Sequence, residues 1–514
     1  GGFLTPILLD ERLPDQWLLL AYVLVLDLGV LALATFRNWR WFTLLSLAGS
    51  LGLVWFWHAD PSAGLLLDQV GITLIFLIFV AATTLFHVVW RRPAGHSDQA
   101  LMVVNAAAYF GMSYGLLFDE FRPWMGGFTV LLALFYGALG YAVLKRSGEQ
   151  VYLSLFALGT GLVFVTIAVP VQLGGPWISV AWATEGLVLM WLASFLKMHQ
   201  LRWFGVGVFA VFAAWLLLWD TPRALSTDLR PFWNVYLPAY VTSVAITYLA
   251  AYLLNRQRDS LLPQEQALFP AFLVAANLFL TLGFATQAPG HWIALTWTLE
   301  ALVLMAVSLR LGLIELRLFS LGLLAIVVVR LLAFDTFNVD SKAFLPIINQ
   351  RFLSFTVGIA GMYLSALMLW RWGDRQLHSW WVPLSRFGWP SLLAMASFLT
   401  LWVLSAEVIT SVETGFVHVP SRYQGDLISL ALSLLWAVYA TVLLVLGMVN
   451  RWMRVRQAGL ALLAIPVIKL FAFDVFALEQ EYRVAAFLGL GALMLAGGYL
   501  YQRYTSAIRG FLFE

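Results

Sequence analysis

Cysteine is missing from all 514 residues. That excludes disulfides, thiolate nucleophiles and cysteine-ligated metal or iron–sulfur centres, and it leaves the redox compartment open. Charge is scarce too: 11% of residues are Asp, Glu, Lys or Arg, against roughly 25% in soluble domains. The formal net charge of +3 provides no basic stripe for tracking phosphates, so nucleic acid is not an expected partner. The seven histidines never stand three or four apart, so no helix-borne zinc or haem site is expected, and neither a metal nor a cofactor is implied. No Gly-Lys-Ser/Thr phosphate loop, nucleophile elbow or His-Glu-x-x-His occurs, and ATP hydrolysis and metalloprotease chemistry therefore lack support. Nothing among the motifs argues for an enzyme.

What the chain has instead is apolar length. Hydrophobic residues make up 62% and the mean hydropathy is +0.86. An unpaired backbone group costs several kcal/mol in hydrocarbon, so spanning segments are helices or closed barrels. Barrel strands alternate apolar and polar residues, whereas these runs are apolar throughout, with the length a helix needs to cross a core of about 30 Å. The expected architecture is an all-α integral membrane protein of about seventeen spans. They lie near 16–36, 41–58, 68–90, 99–118, 126–144, 151–171, 177–196, 202–219, 233–254, 266–286, 292–309, 316–334, 351–370, 389–410, 427–447, 454–473 and 484–502.

Every second connection is basic: Arg37 and Arg40; Arg91 and Arg92; Lys145 and Arg146; Lys197 and Arg202; Arg256 and Arg258; Arg310 and Arg317; Arg371, Arg375 and Arg386; Arg451, Arg454 and Arg456; Arg503 and Arg509. The alternate loops hold Arg12, Arg122, Arg223, Arg230, Lys342, Arg351, Arg422 and Arg483. The positive-inside rule then predicts an external N-terminus and a cytoplasmic C-terminus. Trp41, Trp57, Trp90, Trp177, Trp219, Trp292 and Trp370 stand at span ends, where an indole suits the headgroup layer.

A shift of 115 residues lays Trp177 to Glu185 on Trp292 to Glu300 without a gap, and pairs Arg202 with Arg317, Asp220 with Asp335, Pro231 with Pro346 and Asn234 with Asn349. A further shift of 139 places Trp436, Tyr439, Arg456 and Asp474 on Trp297, Glu300, Arg317 and Asp335. The expected organisation is an external segment with a leading helix (1–40), followed by tandem four-helix units at 41–150, 151–260, 261–375 and 376–514, the first being the most diverged. An even number of spans per unit makes the copies parallel rather than inverted.

Few ionisable residues fall inside spans. Asp27 is central in the first. Glu185 and Glu300 lie eight residues from the outer ends of their helices, about 12 Å deep at 1.5 Å per residue. Arg330 and Lys469 share one repeat slot, opposite Glu300 and Tyr439, and Glu300 is expected to pair with Arg330. Together Glu185, Glu300, Arg330, Lys469, Tyr439 and Asp27 are the candidates for a substrate or proton site, set against a plain role in tying helices together. Asp119, Asp220, Asp335 and Asp474 close the third helix of each unit, either as turns bonding loop amides or as external carboxylates. The long external loop 411–426, with Glu413, His418, Arg422 and Asp426, is a further candidate. Asn105, Asn234, Asn277 and Asn349 read as interhelical hydrogen-bonders, and Gly489, Gly491, Gly497 and Gly498 as close-packing surfaces.

The opening Gly1-Gly-Phe-Leu-Thr-Pro6, the Trp-x-x-Glu helices and the ending Tyr482-Arg483-x4-Phe487-Leu-Gly-Leu-Gly491 resemble, along essentially the whole chain, a family of large bacterial polytopic predicted membrane proteins of unknown function. The resemblance implies a bacterial inner (plasma) membrane location and further residues before Gly1, in keeping with a chain that starts without Met. It carries over no catalytic residue. Three functions follow as expectations: binding or transport of an amphipathic or lipid-linked envelope compound, with membrane lipids as neighbours; an enzyme at the extracytoplasmic face of the membrane acting on a lipid-linked substrate; and a scaffold for envelope protein partners.

Overall fold

The computed structural model describes residues 16–36, 40–58, 64–90, 96–146, 151–227, 233–288, 290–339, 344–372, 382–418 and 420–472, and all regular structure among them is helical. The long helices are α1 (Gln16–Phe36), α2 (Arg40–His58), α3 (Leu65–Trp90), α4 (His96–Phe121), α5 (Met125–Arg146), α6 (Val151–Gln172), α7 (Trp177–Leu196), α8 (His199–Trp215), α9 (Tyr236–Arg256), α10 (Leu268–Gln287), α11 (Trp292–Leu311), α12 (Ile314–Arg330), α13 (Gln350–Trp372), α14 (Val382–Glu413), α15 (Ser421–Val449) and α16 (Met453–Ala472). Among the described residues, 12 stretches are long and apolar enough to cross a membrane, and one of them, Asp98–Arg146, takes in most of α4 and all of α5. Two shorter apolar segments, Trp17–Leu33 and Thr43–Val54, lie in α1 and α2. The chain is a multi-pass helical membrane protein. The expected spans as far as 454–473 each fall on one of these helices, and the last, 484–502, lies outside the described residues with Asp474 and Gly489 to Gly498.

The chain divides into two compact units, 1–226 with 238–259, and 227–237 with 260–514. In the first, α1, α2 and α3 close on Val23, Leu47, Ile75 and Phe79, while α3 to α6 enclose an aromatic core of Phe76, Tyr109, Tyr136 and Phe164. Phe76 and Tyr109 stack at 4.3 Å. Helices α5 and α6 approach closely because Gly161 faces the Ala133 carbonyl, where a Cβ would come within 2.9 Å of the oxygen. In the second unit α11 to α14 bury Ala301, Leu324, Val327, Phe355, Met362 and Leu399. Lipid is as apolar as leucine, so close packing and interhelical hydrogen bonds hold such bundles.

Tight hairpins join α7 to α8, α11 to α12 and α15 to α16. Each turns on a left-handed residue: Lys197 (φ 55°), Gly312 (φ 72°) and Arg451 (φ 56°). Glycine takes that conformation freely, whereas Lys197 and Arg451 adopt it against their Cβ. At their far ends α8 and α12 each run into a single π-helical turn, Leu216–Asp220 and Leu331–Asp335.

Helix ends also correct the reading of one loop. Since α14 runs on to Glu413 and α15 begins at Ser421, the expected long segment 411–426 shrinks to a short connection, and Arg422 and Asp426 belong to a helix. A further correction concerns Arg202, Arg317 and Arg456, which lie in the first turns of α8, α12 and α16 and are buried rather than displayed on loops.

Candidate functional site

The two buried glutamates occupy the same local frame. Thr166 of α6 donates its hydroxyl to Glu185 Oε1 at 2.7 Å, and Trp182 Nε1 donates to the Thr166 carbonyl at 2.8 Å. Thr281 of α10 donates to Glu300 Oε1 at 2.8 Å, and Trp297 Nε1 to the Thr281 carbonyl at 2.9 Å. Trp and Glu three residues apart share one helix face, so both reach the neighbouring helix at the same threonine. In each cluster the second oxygen, Oε2, is enclosed and has no hydrogen-bond partner among the described residues. Glu300 is 6% exposed, and Glu185 is half-buried.

Outward of these frames the clusters diverge. The ring of Trp182 meets Trp215 edge-on at 5.5 Å, whereas the guanidinium of Arg330 lies 5.9 Å from the centre of the Trp297 ring. The expected Glu300–Arg330 ion pair is not formed. Arg330 instead donates to the Gly290 carbonyl at 2.7 Å and stands 3.8 Å from Asp335 Oδ1. The π turn explains the choice, because i and i+5 share a face there as i and i+4 do in an α-helix. Arginine also snorkels outward more readily than it reaches a turn deeper.

The terminal aspartates depart from expectation. Asp220 and Asp335 are each 2% exposed, so they do not present carboxylates to water. Asp220 accepts from the Ser179 hydroxyl. The residue 115 on from Ser179 is Ala294, and there Asp335 has the Arg330 cation instead, with Oδ2 enclosed and without a partner among the described residues. Asp119 is exposed at the end of α4.

In the third cluster Tyr439 bonds the Ser397 hydroxyl at 2.9 Å and donates to its carbonyl at 3.0 Å. Lys469 donates to the Ser429 carbonyl and the Ser433 hydroxyl, both at 2.9 Å, and also bonds the Ser429 hydroxyl. Asp27, on α1, is fully buried and held by Ser46 and Ser50 of α2.

Sequence reading missed one fully bonded charge pair. Glu407, inside the apolar run of α14, receives Arg351 Nη2 at 2.7 Å and Nε at 3.0 Å on Oε1. Its Oε2 accepts from the Ile347 amide at 3.0 Å and Asn349 Nδ2 at 2.8 Å. Arg351 also reaches Thr410 and the carbonyls of Thr336 and Ala406. Here Arg351 is a buried helix residue and not a loop cation. An acid within a span was the available signal. Asparagines clasp neighbouring elements as expected at three positions: Asn105 to the Phe76 carbonyl, Asn234 to Gln287 and Asn349 to Glu407. Asn277 also bonds the Leu273 carbonyl of its own helix.

No curated protein and no solved structure matches the chain. A model of one protein family does match, over residues 1–225 and 336–504, taking in the Glu185 cluster and leaving 226–335 unmatched. By that match the chain belongs to DUF2339, a family described as predicted membrane proteins.

Proposed function

We propose that this protein binds or moves an amphipathic or lipid-linked envelope compound in the bacterial inner membrane, with the Glu185 and Glu300 clusters as its polar contact points. One observation carries the reading: both carboxyls, at equal depth on their helices, have one oxygen bonded by a threonine and the other enclosed without a partner among the described residues. Structure that merely ties helices together satisfies its polar atoms, as Arg351 and Glu407 do. A carboxyl left half-bonded in hydrocarbon is costly, and it is kept where a proton or a ligand's donor group completes it.

The tandem arrangement, with copies in one orientation, an external N-terminus and a cytoplasmic C-terminus, belongs to the same proposal. It is supported by recurrences at the 115-residue shift: the left-handed Lys197 and Gly312, the π turns, and the Thr–Trp–Glu frames. The stretch outside the family match, 226–335, is 110 residues long, close to one unit. A scaffold for envelope proteins is the second reading, favoured by the fully bonded Arg351–Glu407 clasp. The enzyme reading draws no support from the buried Asp220 and Asp335 or the shortened loop.

The test is mass spectrometry of small molecules co-purifying with the full chain, wild type against the E185Q/E300Q double variant. The expected result is an amphipathic compound retained by the wild type and depleted at least tenfold in the variant. Equal retention by a folded double variant would remove the basis of the reading.

A further inference from the structure

Asp27 poses a problem in counting hydrogens. Ser50 Oγ lies 2.7 Å from Oδ1 and 2.8 Å from Oδ2 of Asp27, and 3.1 Å from the Ser46 carbonyl. Ser46 Oγ lies 3.2 Å from Oδ1. These are four hydrogen-bond contacts, and the two serine hydroxyls supply one hydrogen each. With an ionised Asp27, Ser50 faces two carboxylate oxygens and a carbonyl with a single hydrogen, and oxygens are left against oxygens in a fully buried site. One more hydrogen relieves the arrangement. If Oδ2 carries it, Asp27 donates to Ser50, Ser50 to the Ser46 carbonyl and Ser46 to Oδ1, so three of the four contacts have a hydrogen of their own, and a buried carboxyl that faces hydroxyls and, among the described residues, no cation carries no charge in hydrocarbon.

We propose that Asp27 is a membrane-embedded proton-binding site, loaded in this structure and reversibly emptied by loss of its proton to water. No heavy atom has to move between the two states. On loss of the proton, Ser50 rotates its hydrogen from the Ser46 carbonyl to the carboxylate while Ser46 keeps its bond to Oδ1, so two hydroxyl donors then face the anion. Glu185 and Glu300 have one hydroxyl donor each, which sets Asp27 apart and makes the inference independent of the function proposed for them. Among the described residues the helices packed on α1 are α2 and α3. Ser46 and Ser50 of α2 supply the polar contacts to Asp27; the other titratable groups with described side chains on these helices are Tyr22 of α1 and Asp68 of α3, and among the described residues no charged group bears on Asp27.

Infrared difference spectroscopy of the full chain in lipid nanodiscs tests this. A protonated-carboxyl C=O band should be present at neutral pH in the wild type and be lost in D27N. It should shift on exchange into D2O, vanish when the pH is raised and return when the pH is restored. In S50A the band should persist at higher wavenumber, because the acid hydrogen has lost its acceptor. An amide reproduces the donor–acceptor pattern of the neutral acid, so D27N should unfold within a few degrees of the wild type, whereas D27A should not. The proposal is overturned if D27N removes carboxylate bands and leaves the acid band. It is equally overturned if the acid band never titrates while the protein stays folded. Should D27N fail to fold, 13C-carboxyl labelling of aspartate in the wild type must move the acid band, and an unmoved band refutes the site.

Discussion

The Glu185 and Glu300 clusters share a Thr–Trp–Glu frame and differ in what lies outward of it. Around Glu185 the slot beyond the tryptophan holds Trp215, and the nearby Asp220 is satisfied by Ser179. Around Glu300 the slot holds Arg330, the serine has become Ala294, and Asp335 relies on the cation. The two changes compensate. A buried aspartate needs a donor, and the chain supplies a hydroxyl in one place and a guanidinium in the other. What is common to both clusters is therefore the better guide to function, and what differs reflects local satisfaction of a terminal aspartate. In the third cluster Ser433 and Lys469 bond each other, so hydroxyl and cation occur together.

The largest effect should come from the pair that sets the scale for full satisfaction. With side chains 3% and 5% exposed, R351M leaves Glu407 charged, buried and stripped of its cation, at a cost of roughly 3 to 5 kcal/mol. Thermal unfolding in detergent should show a fall of many degrees, much larger than for E300Q. If R351M and E300Q prove equally mild, the distinction between saturated and half-bonded carboxyls on which the comparison rests is lost. Next in size is S179A, which removes the hydroxyl from Asp220 and should cost about 1 to 3 kcal/mol. Adding W215R recreates the arrangement seen at Ala294, Arg330 and Asp335 and should recover part of the loss. Strict additivity of the two substitutions in a double-mutant cycle would show that the compensation is an accident.

Much of the helical frame was legible, because apolar runs of membrane length admit little else, and the register of Glu185 on Glu300 follows from the ungapped tryptophans. Partners were harder to read. Equal helix spacing suggested Glu300 for Arg330, yet pairing depends on backbone detail, and the π turn that brings Asp335 onto the arginine's face has no signature in Leu331-Leu-Ala-Phe-Asp335. Arg351 looked like a loop cation because its span was placed from hydropathy, which cannot separate the last loop residue from the first buried turn. Glu407 was visible as an acid in an apolar run and needed only to be weighed as Glu185 and Glu300 were. The burial of Asp220 depends on one hydroxyl from another helix, a tertiary fact that local pattern does not contain.

The smallest expected effect sharpens the comparison at its shared core. T281V and T166V each remove one hydroxyl from a glutamate while keeping the side-chain shape, and both leave intact the carbonyl that receives the tryptophan. A neutral hydrogen bond contributes about 0.5 to 1.5 kcal/mol net, and the loss is greater where water cannot replace it. Glu300 is enclosed and Glu185 half-buried, so T281V should sit near the upper end of that range and T166V near the lower. Adding E300Q to T281V should cost less than on the wild-type background, since the threonine's partner has already been removed, and the same should hold for E185Q on T166V. Equal losses for the two threonines would mean that the half-buried glutamate is as dry as the buried one, and the difference in exposure would then have no energetic meaning.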